Sequence, residues 1–175
     1  QQAFPFTINE MVLMGRHPHH SRTWSLGWEG SRDRAVAIQA MKDLNVFHLG
    51  DRLITNVSGG ERQRAVIARA LAQEPEVLLL DEPTAFLDLY HQLDIIRIVR
   101  RLNQERGLTV VLVSHDLNLA SQYCDRVLLF KDGEIVKIGH PQEVICREHL
   151  ESIYGCQVII DAHPQSGMPR VTLPV

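Results

Sequence analysis

Cysteine is scarce: Cys124, Cys146 and Cys156 are the only three in 175 residues, and none stands in a C-x-x-C pair. The odd count and wide spacing exclude a disulfide framework and a thiolate metal cluster, so the thiols read as ordinary reduced side chains. Long apolar runs are lacking as well. Stretches such as Val77 to Leu80 and Val110 to Val113 fall far short of the about 20 residues that cross a bilayer, and no signal peptide opens the chain, so the expected compartment is the cytosol. There is no excess of basic residues. With 18 Lys and Arg against 21 Asp and Glu, the net charge of −3 offers no cationic stripe for a phosphate backbone, which argues against a nucleic-acid partner. Repeats and low-complexity tracts are missing. The first residue is Gln1 rather than Met, which reads as a processed or partial chain.

What is present suits a globular core of one domain's size, with 45% apolar residues. Two textures divide it, a helical stretch over residues 1–75 and an alternating one over 76–175. In the first, Thr7 with Glu10 forms a capping-box pattern, and Ala37, Met41 and Leu44 share one face of a second helix. Between these helices Gly15 to Gly30 lacks period and reads as loop. From Val77 the expected order is strand (Val77 to Leu80), helix (Leu89 to Arg106, stopped by Gly107), strand (Leu108 to Val113) and helix (Leu117 to Cys124). Such alternation implies a parallel sheet with helices on its faces. A hairpin turned at Asp132-Gly133 follows, then short helices starting near Pro141 and Glu148, and a tail from Ala162 that looks irregular or weakly stranded.

Two segments carry chemistry. Val57-Ser58-Gly59-Gly60-Glu61-Arg62-Gln63-Arg64 puts a hydroxyl and two glycines at a helix start, where unpaired N–H groups and the positive dipole end meet an anion. Ser58 and Glu61 also fit a plain capping box. Gly60 in a first helical turn is unfavourable by up to ~1 kcal/mol against Ala, which points to a close backbone approach by a ligand. The second segment, Val77-Leu78-Leu79-Leu80-Asp81-Glu82-Pro83-Thr84, reads as a buried parallel strand that delivers two carboxylates at its carboxyl end, where open α/β sheets bind ligands. His115, in Ser114-His115-Asp116, ends the next strand.

Together these residues resemble the ATP-binding subunit of ABC transporters over nearly the whole chain. Val57 to Glu61 is similar to the ABC signature, with Val for the usual Leu and Glu61 for the usual Gln. Leu78 to Glu82 is similar to Walker B with its catalytic glutamate, Ala85-Phe86-Leu87-Asp88 to the D-loop with Phe86 at a usually small position, and Ser114-His115-Asp116 to the switch-histidine loop. Gln1 or Gln2, ahead of Phe4-Pro5-Phe6-Thr7, resembles the Q-loop glutamine. Phe4-Pro5-Phe6-Thr7, Met14-Gly15-Arg16-His17-Pro18-His19, Asp88-Leu89-Tyr90-His91-Gln92, His115 to Ala120 and Ile153-Tyr154-Gly155 look like the importers of iron–siderophore, haem and cobalamin. His17, His19 and His20 lie in a Pro-containing loop without fixed ligand geometry and are not read as a metal site.

The resemblance implies an α/β P-loop-type ATPase fold, with ATP and Mg²⁺ bound and ATP hydrolysed to power uptake of an iron–siderophore-type chelate; haem or cobalamin import is the alternative. It implies catalytic roles for Glu82 and His115, a magnesium role for Asp81 through water, and nucleotide contacts from Ser58, Gly59, Gly60, Glu61, Gln63, Asp88 and Gln1 or Gln2. Its implied partners are a second ATPase subunit packed head to tail, integral membrane permeases and, indirectly, a substrate-binding protein, which places the chain at the cytoplasmic face of the membrane. No G-x-x-x-x-G-K-S/T P-loop occurs, so the chain resembles a carboxyl-terminal portion without the P-loop strand and is expected to be inactive alone. Readings from other classes are a soluble ABC ATPase of DNA repair or translation, which would carry a coiled-coil insertion or a tandem domain, and a non-catalytic fragment.

Overall fold

The computed structural model describes residues 6–19 and 30–174. Gln1, Gln2, Phe4, Pro5 and His20 lie outside these residues. Three helices open the chain: α1 (Ile8–Leu13), α2 (Ser31–Asp43) and α3 (Gly59–Leu71). Thr7 caps α1 through the expected box, its hydroxyl accepting from Glu10 N–H at 3.2 Å while the Glu10 carboxylate accepts from Thr7 N–H at 2.8 Å. One core gathers Ile8 and Val12 from α1, Ala37 and Met41 from α2 with Leu44 beyond it, and Ala65, Ile67 and Ala68 from α3. Burying such faces is the main source of stability in short helices.

Met14–His19 is a 3-10 helix, not the loop expected from Gly15 onward. The cause is tertiary contact that local periodicity cannot reveal. Gly15 lies against α3 so closely that an added Cβ would collide with the Arg69 carbonyl oxygen and come within 3.1 Å of Ala72 Cβ. Arg16 is buried, donating from Nη1 to Ala72 O at 2.6 Å and Glu74 Oε2 at 2.8 Å, and from Nε to Asp33 Oδ1 at 3.0 Å. Those bonds satisfy a charge that would otherwise be prohibitive to bury.

The alternating part begins with β1 (Val77–Asp81), α4 (Leu89–Arg106) and β2 (Thr109–Val113). Gly107, at φ 66°, stops α4 in the left-handed conformation that glycine adopts readily. The strands pair in parallel, Leu78 opposite Val110 and Asp81 opposite Val113. Leu78 and Leu80 enter the core shared with α3 and α4, but Val77, Leu79, Val111 and Val113 are exposed. β1 is thus covered on one face, where the unbroken apolar run suggested two.

The chain forms two compact units, residues 1–113 and 114–175. The change of pattern at 75/76 is not where they divide, because one core runs from Ile8 to Leu108 across it. The second unit holds α5 (Leu117–Tyr123), β3 (Val127–Lys131), β4 (Glu134–Gly139), α6 (Pro141–Val144), α7 (Arg147–Tyr154), β5 (Ile159–Ala162) and β6 (Pro169–Thr172). Asp132 and Gly133, both with positive φ, make the tight turn between β3 and β4. The tail read as irregular or weakly stranded forms the antiparallel β5–β6 hairpin. Polar side chains of α5 hold it: Asn118 bonds both the N–H and the carbonyl of Val171, at 2.8 and 3.1 Å, and Ser121 Oγ donates to Pro169 O at 2.6 Å. Val127, Leu129, Val144, Ile145, Leu150 and Val158 form this unit's own core.

Candidate functional site

Ser58 opens α3 in extended backbone and closes the capping box expected for it. Its Oγ accepts from Glu61 N–H at 3.3 Å, and Glu61 Oε2 accepts from Ser58 N–H at 2.7 Å. The Ser58 backbone bond, then its side chain, hold the Glu61 carboxyl below the usual range. Ser58 and Gly59 are exposed and Gln63 is half-buried. A helix of this length presents a partial positive charge and free N–H groups at such a turn, which suits an anion.

Gly60 is buried, and what approaches it is a side chain of the same molecule. A Cβ there would fall on the imidazole of His91, 2.6 Å from Cγ and 3.0 Å from Cβ. The glycine that the sequence suggested was reserved for a ligand therefore has a packing reason as well. At Gly59 the same construction meets only Leu87 Cδ2, at 3.4 Å.

The carboxylates stand where the strand reading placed them. Asp81 is exposed as the last residue of β1, and the ladder continues one residue further, Glu82 N–H donating to Val113 O at 3.0 Å. Glu82 takes φ 45°, a left-handed conformation unusual for a non-glycine residue, and its Oε1 is shut off from solvent. Backbone strain of this kind, about 1–3 kcal/mol, persists where surrounding structure enforces it and concentrates at functional sites. Phe86 is also left-handed, at φ 61°, and fully exposed. Gln92 of α4 pins the intervening loop, donating to Leu87 O at 3.0 Å and Thr84 O at 3.4 Å.

Asp88 ends that loop and caps α4. Its carboxylate accepts from His91 N–H at 2.9 Å and lies 2.8 and 2.9 Å from His91 Nδ1, which therefore carries the ring proton. These bonds, backbone first, lower the Asp88 carboxyl below its ordinary value. One turn further along both helices, Arg64 Nη1 meets Asp94 Oδ2 at 2.8 Å, so α3 and α4 are joined at two successive levels. Ser58, Gly59, Gly60, Glu61, Gln63, Asp81, Glu82 and Asp88 thus all belong to the first unit.

His115 belongs to the second unit, in the turn that follows β2 in the chain, and is exposed. Ser114 Oγ accepts from Asp116 N–H at 3.0 Å, and Asp116 Oδ1 caps α5 by accepting from Leu119 N–H at 2.9 Å. Both neighbours of His115 are thereby engaged in holding the turn. Of the other histidines, His19 Nε2 bonds Gln73 O at 2.9 Å, and among the described residues no group of three or more His, Cys, Asp or Glu is placed to hold a metal ion. Sequence reasoning assigned no role to His91, Gln92 or Arg16. For His91 a signal existed, a histidine three residues after a helix-capping aspartate; for Arg16 the one sign was its place in the Met14 to His19 motif, which says nothing of its burial.

The chain is similar to known proteins over most of its length. The sequence model of the ABC transporter family matches residues 3–85. The chain is 47% identical over 176 residues to the hemin import ATP-binding protein HmuV of Gloeobacter violaceus, covering 97% of this chain and 62% of that protein. It is 41% identical over 165 residues to the ferric enterobactin transport ATP-binding protein FepC of Escherichia coli, covering 94% and 60%. The chain thus spans about three fifths of the length of these relatives. A solved structure of a metal-chelate type ABC transporter in an inward-facing conformation superposes with a TM-score of 0.90 at 30% identity, covering 100% of this chain and 70% of that one.

Proposed function

Because the chain belongs to the ABC transporter ATPase family, with its P-loop NTPase-type α/β fold, we propose that the complete protein binds and hydrolyses ATP to drive import of an iron–siderophore-type chelate. The observation that carries this reading is the loop after β1, with Asp81 exposed at the strand end and Glu82 held left-handed behind it. The donor set fits magnesium: Asp81 offers a hard, accessible carboxylate, which such an ion takes through water. Magnesium, when bound, supplies neutralisation of phosphate charge. Glu82 orients and polarises the attacking water, His115 contacts the terminal phosphate, and the Ser58 hydroxyl with the Gly59 and Gly60 N–H groups meets phosphate, with Glu61 and Gln63 beside them. Catalysis of this kind is mostly positioning and charge stabilisation. Gln1 or Gln2 relays nucleotide state.

The proposed partners are a second copy of the subunit, membrane permeases and a substrate-binding protein. Exposure of Phe86, Leu89 and Tyr90 around Asp88 supports the second copy, since apolar side chains gathered on one corner gain by burial against another chain. Among the described residues no helix is long and apolar enough to cross a membrane, and the chain is proposed to sit peripherally at the cytoplasmic face, on its permeases. Haem import is the second reading, favoured by the 47% identity to a hemin import protein. Proteoliposomes holding the full-length subunit and its permease distinguish them. ATP-dependent accumulation of an iron-55 siderophore supports the first reading, accumulation of haem the second, and no ATP-dependent uptake of any chelate contradicts both.

A further inference from the structure

We propose that His91 is a positioning residue, one that locks the turn opening α3 to the loop ending in Asp88. Three contacts converge on this ring. Its Nδ1–H is shared by both Asp88 carboxylate oxygens, at 2.8 and 2.9 Å. It makes a T-shaped contact with the Tyr90 ring, with centroids 5.4 Å apart at 89°. Its Cβ and Cγ occupy the place where any side chain at position 60 would have to go.

The two segments so joined hold Ser58 and Gly59 on one side and Asp88 on the other, all exposed. The neighbouring Gln92 binds the Thr84 and Leu87 carbonyls, and Arg64–Asp94 repeats the link one turn along. His91 is therefore the pin at the open end of a braced helix pair. It sets the distance between two groups that each reach outward, without itself needing to touch a ligand. Without the ring, Asp88 keeps its cap bond to the position 91 N–H but loses the donor that orients its carboxylate, and α3 loses the surface against which Gly60 rests.

The test is a double-mutant cycle in the full-length subunit: wild type, Gly60→Ala, His91→Ala and the double variant. Thermal unfolding is read without nucleotide, and kcat and KM for ATP are read with the permease present. Gly60→Ala is expected to lower Tm by roughly 5 °C in the wild-type background and by less than about 1 °C when His91 is also Ala, since contacting residues are not additive. If Gly60→Ala alone fails to fold, the double variant should fold; failure of both overturns the proposal. An equal loss of Tm with and without His91 also overturns it.

The kinetic arm rests on the ATPase reading above. His91→Ala should lower kcat by on the order of tenfold or more, as a displaced positioning group does. KM should move little, and His91→Asn, which keeps a donor toward Asp88, should recover part of the loss. A wild-type kcat in His91→Ala at a temperature where it is folded overturns the positioning role. If wild type itself hydrolyses no ATP, the ATPase reading fails, while the unfolding cycle still decides whether His91 is the pin.

Discussion

Glu61 is the residue where the capping reading and the signature resemblance meet. Its carboxylate closes the box at Ser58 and its pKa lies below the ordinary value because of those bonds. A carboxyl lowered on folding adds stability above its unfolded pKa, near 4.3, and that contribution disappears as pH falls through the lower folded value. Gln in its place can still accept the Ser58 N–H but does not titrate. Glu61→Gln should therefore be less stable than wild type at pH 7, with the difference closing as pH falls below about 4.3 so that its acid slope is the shallower, measured by urea denaturation across pH. An unchanged acid slope would show that the box contributes nothing there. Ser58, Glu61, Asp81 and Glu82 were legible because capping and strand ends are local in sequence. The partner of Gly60 was not, because His91 comes from another helix.

Elements with local start and stop signals appear where the sequence puts them. α4 runs from the Asp88 cap to Gly107, and Asp132-Gly133 turns the β3–β4 hairpin. The 3-10 helix at Met14–His19 and the β5–β6 hairpin were not legible, because their stability lies in contacts from elsewhere: Arg16 with α2 and the end of α3, Asn118 and Ser121 with β6. Arg16→Ala takes the guanidinium from Asp33, Glu74 and the Ala72 carbonyl, Asp33 keeping its bond from the Gly30 N–H, and should lower unfolding free energy by roughly 3 kcal/mol. A denaturant titration finding a change near zero would mean that the clamp is idle. Asn118→Ala removes two bonds to Val171. Hydrogen exchange at the Val171 amide should rise by roughly fivefold to tenfold, the equivalent of a hydrogen bond of ordinary net strength, and unchanged exchange would place the hairpin's support elsewhere.

At the scale of the molecule, a single chain carries an anion-ready turn and a carboxylate pair in one compact unit, and a turn-borne histidine in the next. We propose that Glu82 polarises water for ATP hydrolysis in the complete subunit. Glu82→Gln keeps size and polarity and removes the charge, so nucleotide binding should survive while hydrolysis falls by about 10²–10⁴-fold, the contribution of general-base assistance. The direct measurement is phosphate release by the full-length Glu82→Gln subunit with its permease in MgATP, with size-exclusion chromatography of the same subunit loaded with ATP. The expected result is lost turnover together with a closed, ATP-loaded dimer. Near-normal phosphate release would contradict the assignment and make His115 the next candidate.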